Sequence, residues 1–183
     1  EDIENWINTK KKIFEKPGKY KAVVLPIYDA DKILIGFQSR YIDHPFKRYV
    51  TTRLVEDSDL VYGMERLDFS KRIYIVEGPF DSLFLPNCIA LRSCTVKIPT
   101  KVLETNNFTV ILDNEPRGKE IIKIIDNMIK IDYTVCIWDE RKEKDINDMI
   151  LSGSTPDSII EFIDNNSYSG LLAKINLNNW KRC

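Results

Sequence analysis

The hydrophobic positions after Arg72 predict short buried strands that alternate with amphipathic helices. Apolar runs with the length and composition of buried strands lie at residues 73–76, 88–91, 108–112 and 133–138. Between the last two, residues 119–130 repeat isoleucine and methionine at helical spacing. Because this alternation is typical of a parallel sheet covered on both faces, it predicts an α/β fold with a mostly parallel central sheet, α+β overall.

The flanking regions follow other patterns. Residues 22–28 and 32–38 predict a hairpin around an Asp-Ala-Asp turn, and residues 41–67 predict loops and short strands. After residue 154, Thr-Pro-Asp predicts the start of a helix, and residues 168–175 predict one more. The segments expected are a linker or N-terminal helix over 1–19, a small mixed subdomain over 20–71, the sheet domain over 72–151 and a helical segment over 152–183.

The charge is distributed unevenly between the two halves. The whole chain of 183 residues has a net charge of −1, but residues 1–72 hold 14 Lys and Arg against 12 Asp and Glu, whereas residues 73–183 hold 13 against 16. The composition, 43% hydrophobic and 30% charged, predicts a folded core. No apolar run reaches the roughly 20 residues of a membrane span, so we expect a cytoplasmic protein with no membrane partner.

Histidine and cysteine are too few and too scattered for a structural zinc site. The chain has one histidine, and its four cysteines contain no Cys-x-x-Cys pair. Because the first residue is Glu1 rather than methionine, we also expect a piece of a longer protein.

Acidic side chains follow three of the predicted strands. The carboxyl ends of parallel strands meet at one edge of a sheet, where crowded carboxylates repel unless a cation lies among them. Hard oxygen ligands without histidine or thiolate favour Mg²⁺ or Mn²⁺. The pattern predicts metal-assisted phosphoryl or nucleotidyl transfer. The acids are Glu77, Asp81, Asp113, Glu115, Asp145 and Asp148.

These acids occur in motifs that resemble a known family. Glu77 with Asp81 four residues later, followed by Asp113-x-Glu115, resembles the Toprim domain. The string Gly-Phe-Gln-Ser-Arg at 36–40 and Tyr-Gly at 62–63 resemble landmarks in the basic half of DnaG-type primases. Asp-Asn-Glu-Pro-Arg at 113–117 and Lys-Asp-Ile-Asn-Asp at 144–148 are similar to the branch of that family found in T-even-type bacteriophages.

The resemblance implies a Toprim catalytic core, preceded by the basic subdomain, that copies single-stranded DNA into short RNA primers from ribonucleoside triphosphates. It further implies Mg²⁺ or Mn²⁺, a hexameric replicative helicase and a single-stranded-DNA-binding protein as partners, and a phage-encoded protein in the bacterial cytoplasm. Zinc is expected only in an N-terminal domain that this chain lacks.

The resemblance also assigns roles to the acids. Asp113 and Glu115 are expected to bind one or two metal ions together with Asp145 and Asp148. Glu77 is the candidate general base or a further ligand, and Asp81 is expected to bind metal or to hold a ligand in place. For Asp81 and Asp148, the alternative is that each carboxylate caps or begins a helix.

Basic side chains are the candidates for contacts with template phosphates or the incoming nucleotide, because Arg and Lys make most such contacts. The alternative for each is ordinary surface charge. Arg117 has a further alternative, a salt bridge that holds Glu115. The candidates are Arg40, Lys47, Arg48, Arg53 and Arg117.

Two other functions fit parts of the pattern. A Toprim nuclease would use the same acids to hydrolyse phosphodiesters, but it does not need the Gly-Phe-x-x-Arg and Tyr-Gly landmarks. A non-catalytic replication adaptor that binds helicase or DNA would be expected to have lost some of the acids, and here all are present.

Overall fold

The fold is given by a computed structural model that describes residues 20–92 and 97–182. The predicted linker or helix over residues 1–19 lies outside the described residues. The strands are β1 (Ala22–Tyr28), β2 (Leu34–Tyr41), β3 (Tyr49–Arg53), β4 (Ile73–Val76), β5 (Cys88–Ala90), β6 (Phe108–Ile111), β7 (Val135–Cys136) and β8 (Ser167–Tyr168). The helices are α1 (Thr100–Leu103), α2 (Lys119–Lys130), α3 (Ile146–Leu151), α4 (Pro156–Asn165) and α5 (Gly170–Trp180). None of these helices is long and apolar enough to cross a membrane.

The first of two compact units ends at Leu60 and contains a sheet in the order β1-β2-β3, with antiparallel neighbours. The predicted hairpin is confirmed. Its turn is closed by Asp29, whose carboxylate accepts the N–H groups of Asp31 and Ile33, both at 2.9 Å. The small apolar cluster of this sheet is formed by Phe37, Tyr41 and Val50, with Tyr20 and Ala22 packed against it.

The second unit begins at Val61, whereas the sequence placed the domain boundary after Lys71. Tyr62 explains the position of the division. Its N–H and C=O exchange hydrogen bonds with Ala90 of β5, at 3.0 and 2.9 Å, so this segment is tied to the second sheet.

The central sheet of the second unit has the order β5-β4-β6-β7-β8. Its first four strands are parallel, as predicted, and every residue of β4 and β5 is buried because both faces of the sheet are covered. Helix α2 matches its predicted bounds and buries Ile121, Ile125 and Ile129, which lie four residues apart on one face. Helix α4 begins as predicted, with a capping box formed by Thr155 and Ser158.

Strand β8 was missed by the sequence analysis, which placed a helix over residues 168–175. Ser167 and Tyr168 instead pair antiparallel with Cys136 and Val135 of β7, and α5 begins at Gly170. Gly170 has a φ of +53°, a conformation that glycine adopts without strain and that separates the strand from the helix. The segment after residue 151 therefore contributes an edge strand to the central sheet.

Arg72 joins four elements of the second unit. Its Nε and Nη2 atoms donate to the buried hydroxyl of Thr109 in β6, at 3.0 and 2.7 Å. Nη2 also donates to Ser167 of β8 at 3.1 Å, and Nη1 pairs with Asp164 of α4. The planar guanidinium group thus fixes the end of α4 and the edge strand against the start of β4.

We expect Arg72→Lys to lower the free energy of unfolding by about 1–3 kcal/mol, since an ammonium cannot donate to all three partners and a buried hydroxyl loses its donor. Chemical denaturation monitored by circular dichroism measures the loss. Lys71→Met is the control, because the Lys71 side chain makes an exposed ion pair with Asp68, at 3.1 Å, and such pairs contribute little. Equal losses in the two variants would contradict the role given to Arg72.

Asp126 links α2 to α5 through its ion pair with Lys174, and it also pairs with Lys130 at 2.9 Å. The hydrogen bond from Lys174, followed by that from Lys130, lowers the pKa of Asp126 below its ordinary value of 3.8. A lowered folded-state pKa means that the stabilisation is complete above the ordinary value and is lost as the pH falls through the lowered one.

We expect Asp126→Asn to cost about 0.5–1 kcal/mol at neutral pH, because the pairs are partly exposed. The difference from the unmodified chain should vanish in acid, as the carboxylate is protonated. Urea denaturation across a pH series tests this. Glu161→Gln on α4 is the control for the loss of an exposed carboxylate. If Asp126→Asn still lowers the free energy of unfolding at the lowest pH, the ion pairs are not the cause of the loss.

Candidate active site

The central feature of the site is the pairing of two parallel strands that both end in acids. Val76 of β4 is opposite Ile111 of β6, so the residues that follow these strands emerge side by side. Glu77 comes directly after Val76, and its Oε1 accepts the backbone N–H of Asp113 at 3.2 Å. The predicted convergence of these two acids is therefore present.

Asp81 lies in the 3₁₀ turn Asp81–Leu83 and is 9% exposed. Its Oδ1 accepts the N–H of Asn147 in α3 at 2.8 Å, so the carboxylate connects the loop after β4 to the start of that helix. Burial raises the pKa of Asp81 to about 7; the Asn147 N–H opposes the shift, and the negative charges of Asp145 and Asp113 add to it.

Asp145 completes the group and also begins α3. Its Oδ1 accepts the N–H of Asp148 at 2.7 Å, which makes Asp145 the N-cap residue of the helix. Glu77, Asp81, Asp113 and Asp145 line one small cleft of about 10 Å³, floored by apolar residues that include Ile111 and Trp138. This is close to the volume that one water molecule needs.

Glu115 is not among the residues that line this cleft, and neither is Asp148. Asp148 Oδ2 accepts the N–H of Lys144 at 3.3 Å, across the start of α3. This geometry matches the alternative in which Asp148 begins a helix, and its role as a metal ligand stays a prediction. Asp81 fits both the prediction of a metal-site residue and the alternative of a helix-capping one. It lines the cleft, and its carboxylate also accepts the N–H of Asn147 at the start of α3.

Lys144 is a site residue to which the sequence analysis gave no role. Its Nζ lies 3.2 Å from Asp113 Oδ2 and 3.0 Å from Glu115 Oε1, and these two bonds raise the pKa of Lys144. Burial is the larger effect on Asp113, whose pKa is raised although Lys144 acts to lower it. The sequence feature that could have identified Lys144 as a site residue is its position directly before Asp145 in the acidic motif.

Asn114 was also missed, and it fixes the acidic loop, residues 113–117, from two sides. Its Nδ2 donates to the carbonyl groups of Arg141 and Glu143 at 3.0 and 2.9 Å, and its own N–H donates to the Lys144 carbonyl at 2.7 Å. On the other side, Trp180 Nε1 of α5 donates to Asn114 Oδ1 at 3.0 Å. The side chain between the two acids thus holds Asp113 and Glu115 in place.

Arg117 is exposed and does not hold Glu115. Within the described part of the chain Glu115 pairs with Lys144, so the salt-bridge alternative for Arg117 is wrong. The other alternative, a contact with the triphosphate, stays a prediction.

The remaining basic candidates all lie in the first unit. The Arg40 guanidinium stacks on the ring of Tyr49, 5.4 Å from its centroid. Arg40 and Arg53 lie on the same face of the sheet. The Nη1 atom of Arg53 donates to the Ser58 carbonyl at 2.6 Å. Lys47 and Arg48 belong to the loop between β2 and β3. Arg40, Arg48 and Arg53 are exposed, as phosphate-binding side chains must be, and Lys47 is half-buried.

The chemistry of the cleft fits a hard divalent cation. All four polar side chains that line it are carboxylates, the ligands that Mg²⁺ and Mn²⁺ prefer. The ammonium of Lys144 already bridges two carboxylates at this edge, which shows that a positive charge is accommodated there. Among residues 20–92 and 97–182, no three Asp, Glu, His or Cys side chains form a ready-made coordination shell.

Comparison with known proteins gives a sequence relative. No protein-family model matches the chain. The DNA primase of Enterobacteria phage T4 is 35% identical over 177 residues, which cover 91% of this chain and 51% of that primase. The chain thus spans about half the length of the curated relative that it matches.

Solved primases share the fold. The Aquifex aeolicus primase, determined with its zinc-binding and RNA polymerase domains, has a TM-score of 0.64 at 18% identity, over 97% of this chain and 50% of that one. The primase fragment of the bacteriophage T7 primase-helicase has a TM-score of 0.59 at 19% identity, over 81% and 65%. At such identities the likeness establishes the fold alone. This chain is therefore related to phage T4 DNA primase along almost its whole length and has the α/β fold of DnaG-type primase catalytic cores.

Proposed function

We propose that the chain is the catalytic core of a phage-type DNA primase, a DNA-directed RNA polymerase that makes short RNA primers on single-stranded DNA for replication. The observation that carries the proposal is the adjacency of Glu77 and Asp113 at the ends of paired parallel strands, with Asp81 and Asp145 in the same cleft. The relationship to phage T4 DNA primase supports this choice over a Toprim nuclease.

Asp113 and Glu115 are the principal candidates to hold one or two Mg²⁺ or Mn²⁺ ions, and Glu77 and Asp145, which line the same cleft as Asp113, are further candidates. When bound, the metal neutralises the triphosphate and lowers the pKa of the attacking hydroxyl. Lys144 Nζ contacts one oxygen of each of these two carboxylates, so its ammonium would compete with a bound metal for Asp113 and Glu115. An ammonium displaced from them could pair with a phosphate oxygen.

The proposed reaction is an in-line displacement at the α-phosphorus of a ribonucleoside triphosphate. The 3′-oxygen of the primer forms the new bond to phosphorus, the bond to the β-phosphate oxygen breaks, and pyrophosphate leaves. Glu77 is the proposed acceptor of the hydroxyl proton, and the hydrogen bond from the Asp113 N–H, which orients its carboxylate at the edge of the cleft, supports this role. Asp81 supports the site by holding α3 through Asn147.

The partners proposed are the template strand, ribonucleoside triphosphates, a hexameric replicative helicase and a single-stranded-DNA-binding protein. One structural neighbour is a DnaG catalytic domain bound to single-stranded DNA, and another comes from a primase-helicase. Arg40, Lys47, Arg48, Arg53 and Arg117 are the proposed contacts for template or nucleotide phosphates. Zinc is assigned to a separate domain, as in the Aquifex primase.

We expect Glu77→Gln and Asp113→Asn each to reduce dinucleotide synthesis by at least about 100-fold, because each removes a charge needed to bind metal or accept the proton. The assay uses a single-stranded template, ribonucleotides and Mg²⁺, with products separated by gel. Asp157→Asn, an exposed acid at the start of α4, is the matched control.

The same assay separates the alternatives. Synthesis retained in both carboxylate variants would refute the assignment of the active site. A chain that cleaves labelled single-stranded DNA but forms no dinucleotide would support a nuclease, and one that does neither but binds DNA would support an adaptor.

Lys144 provides a test of metal binding that does not depend on synthesis. Replacing it with Met leaves Asp113 and Glu115 without their counter-charge, so we expect Mn²⁺ to bind about two- to tenfold more tightly. Asp113→Asn should weaken binding instead. The affinity is measured by the electron paramagnetic resonance signal of free Mn²⁺, with Lys142→Met as the control, and weaker binding in Lys144→Met would contradict competition between lysine and metal.

A further inference from the structure

A second cleft lies beside the acidic loop, and the proposed reaction does not use it. Its volume is about 270 Å³, near the lower end of the pockets that hold small ligands. It is lined by the residues after β7, by the end of α4 and β8, and by the last turns of α5. Three asparagines are among the lining residues: Asn166, Asn176 and Asn179.

These asparagines have unused hydrogen-bonding groups. Asn166 Nδ2 donates to Phe162 and Asn176 Nδ2 to Leu172, both at 2.9 Å, but in the described chain neither Oδ1 accepts a hydrogen bond. The side-chain amide of Asn179 makes no hydrogen bond to any described residue. Side-chain amides offer a donor and an acceptor side by side, which is the pattern that the edges of nucleobases match.

Aromatic side chains complete the lining. Trp138 and Trp180 are 4% and 6% exposed and form the floor, whereas Tyr168 is half-buried at the side. The two indole N–H groups point into protein, to the Leu112 carbonyl and to Asn114, and the Tyr168 hydroxyl donates to the Asn165 carbonyl. The aromatic lining is thus held rigidly. Only the edges of the two indoles are accessible, so Tyr168 offers the main aromatic surface to the flat face of a base, a contact that does not depend on sequence.

The charges around this cleft disfavour a phosphate. Asp139 and Glu140 line one side, and Arg182 is the single basic residue in the lining. Asp139 is paired with Arg141 at 3.2 Å, which leaves Glu140 to oppose Arg182. Sites that bind phosphate present an excess of Arg and Lys, so an uncharged group is the better fit.

The cleft is also coupled to the acidic loop. Trp180 in its floor donates to Asn114, and the backbone N–H of Arg182 donates to the Pro116 carbonyl at 2.7 Å. Both acceptors belong to the segment that carries Asp113 and Glu115. A group bound in the cleft is therefore held at a fixed position relative to the carboxylates.

From these observations we infer that the cleft formed by Asn176, Asn179, Tyr168 and the two tryptophans binds a nucleobase beside the catalytic carboxylates. The base belongs to the template strand or to a ribonucleoside triphosphate, and this assignment of a source rests on the proposed function. The binding itself requires neither metal nor phosphate.

Nuclear magnetic resonance on the ¹⁵N-labelled chain without metal tests the inference. Adenosine, guanosine, cytidine and uridine are titrated separately, followed by a 12-nucleotide single-stranded DNA and by ribonucleoside triphosphates. We expect at least one nucleoside to shift the indole N–H signals of Trp138 and Trp180 and the side-chain amide of Asn179. The source is whichever of the last two ligands shifts the same signals at the lower concentration.

Asn179→Ala should weaken nucleoside binding by about fivefold, the effect of losing one hydrogen bond. Asn178→Ala is the matched control, because Asn178 is exposed like Asn179 but does not line the cleft. Shifts caused by inorganic phosphate or pyrophosphate alone, no shift with any nucleoside, or equal weakening in the two variants would each overturn the inference. Because the Glu77 and Asp113 variants are tested separately by synthesis, failure here leaves the proposed function standing, and the reverse also holds.

Discussion

The site depends on one pairing, the parallel alignment of β4 with β6. It places Val76 opposite Ile111, and as a consequence Glu77 and Asp113 leave the sheet as neighbours although they are 36 residues apart in the chain. Both strands are largely buried and mostly apolar, so their register is fixed by the core rather than by the acids. The hydrophobic effect thus supplies the free energy that brings like charges together.

Carboxylates gathered in this way repel one another, and the structure offsets that repulsion locally. Backbone N–H groups donate to three of them, from Asp113 to Glu77, from Asn147 to Asp81 and from Asp148 to Asp145. Lys144 supplies the positive charge for the outer pair, Asp113 and Glu115. Burial still raises the pKa of Asp81 and of Asp113, which shows that these contacts compensate only part of the cost of burial. A divalent cation bound at this edge of the sheet, as proposed, would offset the remaining repulsion.

Much of this arrangement could be predicted from local sequence. Strands β1 and β4 and helix α2 have their predicted bounds, because alternation, apolar runs and helical spacing are visible in single segments. Strand β8 could not be predicted, since two residues paired with β7 leave no periodic pattern and the pairing is made by tertiary structure. Lys144 and Asn114 were missed for a similar reason. Their roles consist of contacts between residues about thirty positions apart in the chain, and only the fold shows which side chains are neighbours.

The C-terminal helix illustrates how a distant element can control the site without entering it. Helix α5 joins α2 through Lys174 and Asp126, and near its end Trp180 donates to Asn114 in the acidic loop. Asn114 also donates to two carbonyl groups of the loop before α3. The positions of Asp113, Glu115 and Lys144 therefore depend on the packing of α5, whose Trp180 lies more than sixty residues after Asn114 in the chain. The carboxylates are therefore positioned from both sides, by the register of the central strands and by the end of α5. Trp180 also lines the second cleft, so a base bound there would contact the same indole that donates to Asn114 in the acidic loop.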